Sequence, residues 1–363
     1  MTARSGPKQF RRRLLRWLLW LTALSLLFLV LLSVPLNETM SALRGLTWRQ
    51  VALLVVANAL VLTLFNARWW VILRGYGQRL PFITLFGYRL ATFGVSYFTP
   101  GPHFGGEPLQ VLLLEKEQQT PRATAIAALT LDKSLELFAN FLFLLTGVLL
   151  IIQKQLFGGV LAVAVVVMIV SLVLVPVIYI LGCAAGRQPI TRVIDRIDKL
   201  LRRRETLRLH DQLIGVSQVA EASEQEIGRF LRRAPGSLFL AALISACSWL
   251  VMIAEFWLMI AYLGAPLAFG ELIVILTAAR LAILLFMPAG LGALEAGQAL
   301  AFGAIGLNPA LGISASLLIR ARDVLMGGTG LWWASRKLAA AYLPGEGARS
   351  VSVPPDSARL PES

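Results

Sequence analysis

Eleven charged residues lie inside otherwise apolar stretches of this chain: Arg89, Glu107, Asp132, Lys133, Glu136, Glu255, Arg280, Glu295, Arg320, Arg322 and Asp323. A charge at bilayer depth costs roughly 2.5–3.5 kcal/mol on insertion scales, so it faces a partner or a cavity. Asp132 and Glu136 are four residues apart and share a helix face. Lys133 stands three before Glu136, and Arg320 three before Asp323. Arginine suits phosphate through its planar fork. The carboxylates of Glu107 and Glu295 suit a cationic group or a proton. Two readings stay open for these residues. In one, Arg89, Glu107, Asp132, Lys133, Glu136, Arg280, Glu295, Arg320 and Asp323 bind a substrate. In the other they are structural ion pairs, such as Glu107 with Lys133 and Glu295 with Arg320. Arg68 lies near a span end beside Trp69 and Trp70, where snorkelling accounts for it.

These charges surround a motif that occurs twice. Phe98-Thr-Pro100-Gly101-Pro-His103-Phe-Gly105-Gly106-Glu107 is echoed by Phe286-Met-Pro288-Ala-Gly290-Leu-Gly292-Ala-Leu-Glu295, with Phe, Pro and Glu at the same spacing. Proline and glycine break helices, and lipid cannot satisfy the backbone groups they free, so such breaks need cover from protein or a watery cavity. Paired breaks in two halves of a chain point to a transporter's binding site. A half-helix beginning after Gly105-Gly106 also aims backbone N–H groups at an anion. His103 reads as a hydrogen-bonded residue of the turn.

The elements that must position these groups are membrane helices. Of 363 residues 57% are apolar and only 15% charged, and the mean hydropathy is +0.72, which excludes an ordinary soluble protein. Full spans are expected at 14–34, 50–73, 123–152, 158–182, 237–263 and 310–333. Segments 82–115 and 271–306 are pairs of short apolar stretches split by the motif, and each reads as a re-entrant hairpin. Trp17, Trp20, Trp48, Trp69, Trp70, Trp332 and Trp333 fall near span ends, where amphipathic rings sit at headgroup level. The stretch 14–34 is too long for a signal peptide and has no small-x-small cleavage site, so it is read as a retained first helix.

Charge sets the orientation. Segments 1–16, 74–81, 115–122, 183–236 and the C-terminal tail hold 25 Lys or Arg, whereas the opposite side holds only Arg44, Arg49 and Lys154. By the positive-inside rule both termini and the 183–236 segment are cytoplasmic. The two hairpins then enter from opposite faces. Pro121 to Asp132 and Pro309 to Arg320 repeat the same distance, so each half is hairpin, proline and long charged helix. The expected fold is an all-α polytopic membrane protein with an inverted repeat, about six full spans and two opposed re-entrant hairpins. Its parts are a basic N-terminus (1–13) and one membrane domain (14–340). That domain has repeats near 50–152 and 237–336, and a disordered tail (341–363) follows it.

No HExxH, GxSxG or Walker-type run is present, and two histidines and two cysteines offer no metal site or disulfide. No cofactor and no enzymatic activity are expected. An intramembrane enzyme acting through Asp132 and Glu136 would lack a nucleophile. The 183–236 segment, with 11 basic and 7 acidic residues and Arg202-Arg203-Arg204 at its centre, reads as an amphipathic helical pair on anionic headgroups. A docking site for partner enzymes is the other reading. Positive-inside loops account for the net charge of +14, so nucleic acid is not an expected partner.

Pro100-Gly101, Gly105-Gly106-Glu107, Leu131-Asp132-Lys133-Ser134-Leu135-Glu136, Pro288-Ala-Gly290-Leu-Gly292-Ala-Leu-Glu295 and Arg320 together resemble the lysylphosphatidylglycerol synthase transmembrane-region family. This family is also called flippase-like or UPF0104, and the resemblance covers about 14–340. The family is similar to the membrane half of bacterial enzymes that make and flip aminoacylated phosphatidylglycerol. The resemblance implies a flippase-like transporter of an anionic or polyprenyl-linked lipid in the bacterial cytoplasmic (inner) membrane. It would move a lipid without making one, because no soluble synthase domain follows Tyr342. The competing expectation is a non-transporting scaffold for enzymes of phospholipid, hopanoid or glycolipid synthesis. The family's first long helix usually carries Glu-Arg where this chain has Asp132-Lys133, so the charge is kept and the bidentate fork is lost.

Overall fold

The computed structural model describes residues 41, 43–98, 105–155, 158–202, 207–284 and 292–342, and all regular structure among them is helical. The expected span at 14–34, Pro100, Gly101, His103, Pro288, Gly290 and the tail past Tyr342 lie outside the described residues. Eleven helices are delimited among the described residues: α1 Trp48–Gly75, α2 Phe82–Phe98, α3 Glu107–Gln118, α4 Arg122–Gln153, α5 Gly159–Ala184, α6 Pro189–Arg202, α7 Leu207–Arg233, α8 Pro235–Tyr262, α9 Phe269–Ile283, α10 Ala293–Ala304 and α11 Pro309–Tyr342.

Local chemistry sets the boundaries. Thr47 and Gln50 form a capping box at α1, where the Thr47 N–H donates to Gln50 Oε1 at 2.8 Å and the Gln50 N–H to Thr47 Oγ1 at 3.4 Å. Pro121 precedes α4, while Pro235 and Pro309 open α8 and α11, positions where a missing N–H costs nothing. The Asn308 side chain accepts the Ala310 N–H at 2.9 Å, completing the cap of α11.

Length sorts the helices into two kinds. α1, α4, α5 and α8, of 28, 32, 26 and 28 residues, are long and apolar enough to cross a membrane. α11 has 34 residues but carries Arg320, Arg322 and Asp323 within it. α2 and α3 have 17 and 12 residues, and α9 and α10 have 15 and 12. At about 1.5 Å per residue each falls short of a bilayer core some 30 Å thick.

The order long, short, short, long therefore occurs twice, as α1–α4 and α8–α11. The packing exchanges partners between these sets: α1 lies along α8, α2 leans on α11, and α9 leans on α4. Glycines bring the crossings into backbone contact. A Cβ on Gly330 would lie 1.9 Å from the Leu90 carbonyl oxygen, and one on Gly94 2.6 Å from that of Gly327. At the α4–α9 crossing a Cβ on Gly147 would meet Thr277 Oγ1 at 1.8 Å.

The core has two main parts. One joins Ile72, Leu85, Tyr88, Leu114 and Leu131, and the other joins Phe256, Ile260, Leu276, Phe302 and Ala315. α5 stands at the periphery with Val160, Val163, Val167, Val175 and Ile178 exposed, a surface suited to lipid. Trp69 departs from the interfacial expectation. It is fully buried, and the guanidinium of Arg89 stands 5.6 Å from its ring centre. Trp48, by contrast, is well exposed at the start of α1.

Candidate functional site

Where α1, α2, α3 and α4 meet, three bases and three acids form one network whose formal charges cancel. Arg68 is its centre and is completely buried. Its Nε donates to Asp132 Oδ1 at 2.7 Å, its Nη2 to Glu136 Oε2 at 3.0 Å, and its Nη1 to Ser245 Oγ on α8 at 3.3 Å. Arg89 donates from α2 to the other oxygen of Asp132 at 2.8 Å. The i, i+4 spacing of Asp132 and Glu136 is what lets one guanidinium reach both. Lys133 Nζ stands 3.4 Å from Glu136 and 3.5 Å from Glu107. Arg68 thus does not snorkel. Arg74, six residues nearer the helix end, packs on Trp70 at 3.6 Å from the ring centre, on the residues where an interfacial anchor was expected.

The second set has similar parts, with the sign exchanged on its leading helix. Glu255 on α8 accepts from Arg322 Nη1 on α11 at 3.0 Å and from Asn58 Nδ2 at 3.2 Å. Arg322 Nε also donates to Asp323 at 2.9 Å. In the first set the arginine is on the leading helix and the acids on the trailing one, and here the order is reversed. Glu295, fully buried on α10, holds Arg320 in a two-pronged pair whose Nη2–Oε2 arm is 2.8 Å. The Tyr97 hydroxyl from α2 bonds the same guanidinium, tying the two sets together.

Glu107 and Glu295 do two things at once. Glu107 opens α3 and accepts the Gly105 N–H at 2.7 Å, and Glu295 in the first turn of α10 accepts the Gly292 N–H at 3.0 Å. Gly105 and Gly292 have φ of 144° and 76°, which only glycine adopts freely. Each carboxylate therefore occupies the positive end of its own helix and also faces a cation on the adjacent long helix. Both pairings suggested by the sequence, Glu107 with Lys133 and Glu295 with Arg320, are present.

Arg280 on α9 is the exception. Its guanidinium contacts Met252 Sδ and faces the Trp249 ring at 5.1 Å, with no carboxylate in salt-bridge range among the described residues. It lies in the field of Glu136 from the first set and of Glu255, Asp323 and Arg322 from the second, so it stands between them.

Sequence reasoning missed two further residues. Gln110 and Gln298 are buried three positions after Glu107 and Glu295. Gln298 Nε2 donates to the Ile275 carbonyl at 3.0 Å, while Gln298 Oε1 and Gln110 Nε2 have no partner among the described residues. The signal was present as Glu-x-x-Gln in both copies of the motif. Among the described residues no cluster of three or more His, Cys, Asp or Glu is placed to hold a metal ion.

The profile of the family described as the lysylphosphatidylglycerol synthase TM region matches residues 17–329, nearly the whole chain and both charged sets. The chain belongs to this family. Relatives carry only the description UPF0104 membrane protein. One, from Methanothermobacter thermautotrophicus, is 23% identical over 299 residues, covering 80% of this chain and 86% of its own. Another, PH1989 of Pyrococcus horikoshii, is 20% identical over 311 residues, covering 84% and 92%. No solved structure matches. The match includes both Glu-x-x-Gln segments and every helix up to the middle of α11, so the paired charged sets lie within the family region.

Proposed function

We propose that this protein moves an anionic or polyprenyl-linked lipid across the cytoplasmic membrane. The single observation behind the reading is the double role of Glu107 and Glu295. Each fills a helix N-terminus suited to an anion while neutralising a cation on the neighbouring long helix. A phosphate entering the site takes the place of the carboxylate, binds Lys133 or Arg320, and gains Arg280, the half-buried cation without a carboxylate in salt-bridge range among the described residues. Release returns the glutamate to its cap, and this exchange keeps the site neutral while empty.

In this reading α1–α4 and α8–α11 are inverted repeats, and the pairs α2–α3 and α9–α10 are re-entrant hairpins opening to opposite faces. Their short lengths, the twice-repeated helix order and the exchanged packing support it. Both termini and the 183–236 segment face the cytoplasm. Topology has its own test in a Cys183→Ala/Cys247→Ala background. Arg79→Cys should react with an impermeant maleimide from the same side as Arg187→Cys, and Ala304→Cys from the opposite side. Arg79→Cys and Ala304→Cys reacting from one side would end the inverted-repeat reading.

The decisive experiment uses proteoliposomes containing a fluorescent phosphatidylglycerol and dithionite quenching of the outer leaflet. Glu107→Gln with Glu295→Gln should slow lipid exchange at least about tenfold, a barrier change of about 1.4 kcal/mol or more. Exchange equal to that of the unsubstituted protein would defeat the mechanism.

A further inference from the structure

A charged hollow lies outside this site, where the end of α5 meets α6 and α7. It encloses about 320 Å³ and is lined by Arg187, Gln188, Glu224, Gln225, Arg229 and Arg232, with Cys183 and Gly228 at its floor. This volume far exceeds the roughly 10–15 Å³ that one water needs. Gly228 is what lets α7 sit on the end of α5, since a Cβ there would lie 2.7 Å from the Cys183 carbonyl oxygen.

The acids around the hollow are already engaged. Glu224 caps α6, accepting from the Ile190 N–H at 2.7 Å, the Thr191 N–H at 3.1 Å and Thr191 Oγ1 at 2.7 Å. Glu221 accepts from the side-chain amides of Gln188 at 3.3 Å and Gln225 at 3.2 Å. Glu226 pairs with Arg229 at 2.7 Å. Arg187 and Arg232 are left without an acidic partner in salt-bridge range among the described residues, so two guanidinium groups of the hollow are free to take an anion.

Its depth follows from its neighbours. Cys183 ends an apolar span, and α6 exposes Ile190, Val193 and Ile197 along one edge, the pattern of a helix resting in a membrane interface. The hollow is therefore at headgroup level. We infer that Arg187 and Arg232 form a phosphate-binding site at the membrane surface, occupied by the headgroup phosphate of an anionic phospholipid.

Native mass spectrometry of the full chain in detergent tests this, with titration of phosphatidylglycerol, phosphatidylcholine or inorganic phosphate. Phosphatidylglycerol should bind in preference to phosphatidylcholine, and Arg187→Gln with Arg232→Gln should weaken it about tenfold. Arg192→Gln with Arg196→Gln removes the same charge from α6 outside the hollow and should leave binding unchanged. Inorganic phosphate binding that depends on Arg187 and Arg232, with no retention of phosphatidylglycerol, would keep the phosphate site and assign it to a soluble ligand. Equal binding by the Arg187/Arg232 variant and the unsubstituted protein, or equal weakening by the Arg192/Arg196 control, would overturn the site. Neither result bears on exchange through Glu107 and Glu295, so the two proposals fail separately.

Discussion

Asp132→Asn should be the most damaging single substitution in the described membrane core. Asp132 is fully buried and gives one oxygen to Arg68 and the other to Arg89, at 2.7 and 2.8 Å. Asparagine keeps one acceptor and turns an NH₂ group toward a guanidinium. It also leaves Arg68, Arg89 and Lys133 facing only Glu107 and Glu136. Removing one partner from a buried ionic set typically costs about 3–5 kcal/mol, because a charge stays behind in low dielectric. Against a total stability of roughly 5–15 kcal/mol, most of the folded yield should be lost. Arg68→Gln should be milder: the imbalance is one charge in either variant, but Asp132 would keep its bond to Arg89 and Glu136 its contact with Lys133. Size-exclusion chromatography of a fluorescent fusion after graded heating checks the order. A higher melting temperature for Asp132→Asn than for Arg68→Gln would refute this account of the network.

Gly330→Ala comes next, and a neighbouring glycine supplies its control. Any Cβ at Gly330 would stand 1.9 Å from the Leu90 carbonyl oxygen, and backbone cannot swing aside as a side chain does. α2 and α11 must separate, which typically costs about 1–3 kcal/mol for overpacking and more where both surfaces are rigid. Gly328, two residues earlier on α11, has nothing within 4 Å of such a Cβ. Gly328→Ala should be neutral or stabilising by about 0.5–1 kcal/mol, because alanine favours helix. Separation also draws Tyr97 away from Arg320, so Gly330→Ala should lose the proposed lipid exchange as well as thermal stability. Equal melting temperatures for the two alanine variants would refute the contact.

What the sequence made legible was whatever depends on spacing along one helix or on a strong breaker. The long spans, the interruptions and the shared face of Asp132 and Glu136 follow from periodicity and from Pro/Gly chemistry. The pairs Glu107–Lys133 and Glu295–Arg320 could be suggested because few charges occur in apolar sequence and each needs a partner. Arg68 was misread for a physical reason. Its place near the end of α1 is equally consistent with snorkelling, and only packing against α4 and α8 decides between water and a buried network. Trp69 failed in the same way. Glu255 with Arg322 depends on how α8 crosses α11, which no local pattern records. Gln110 and Gln298 were legible as an extension of the repeat, but an amide between apolar residues attracts less attention than a charge.

The exchanged packing of α2 with α11 has a consequence for how the chain is made. Membrane helices leave the ribosome in order, and α2 emerges well before the helix that covers its Gly94 face. Until α11 arrives, the first half has a glycine-lined surface without its cover and a Tyr97 without its arginine. Biogenesis therefore cannot finish one half and then begin the other. The last described helix to be synthesised is the one that closes both.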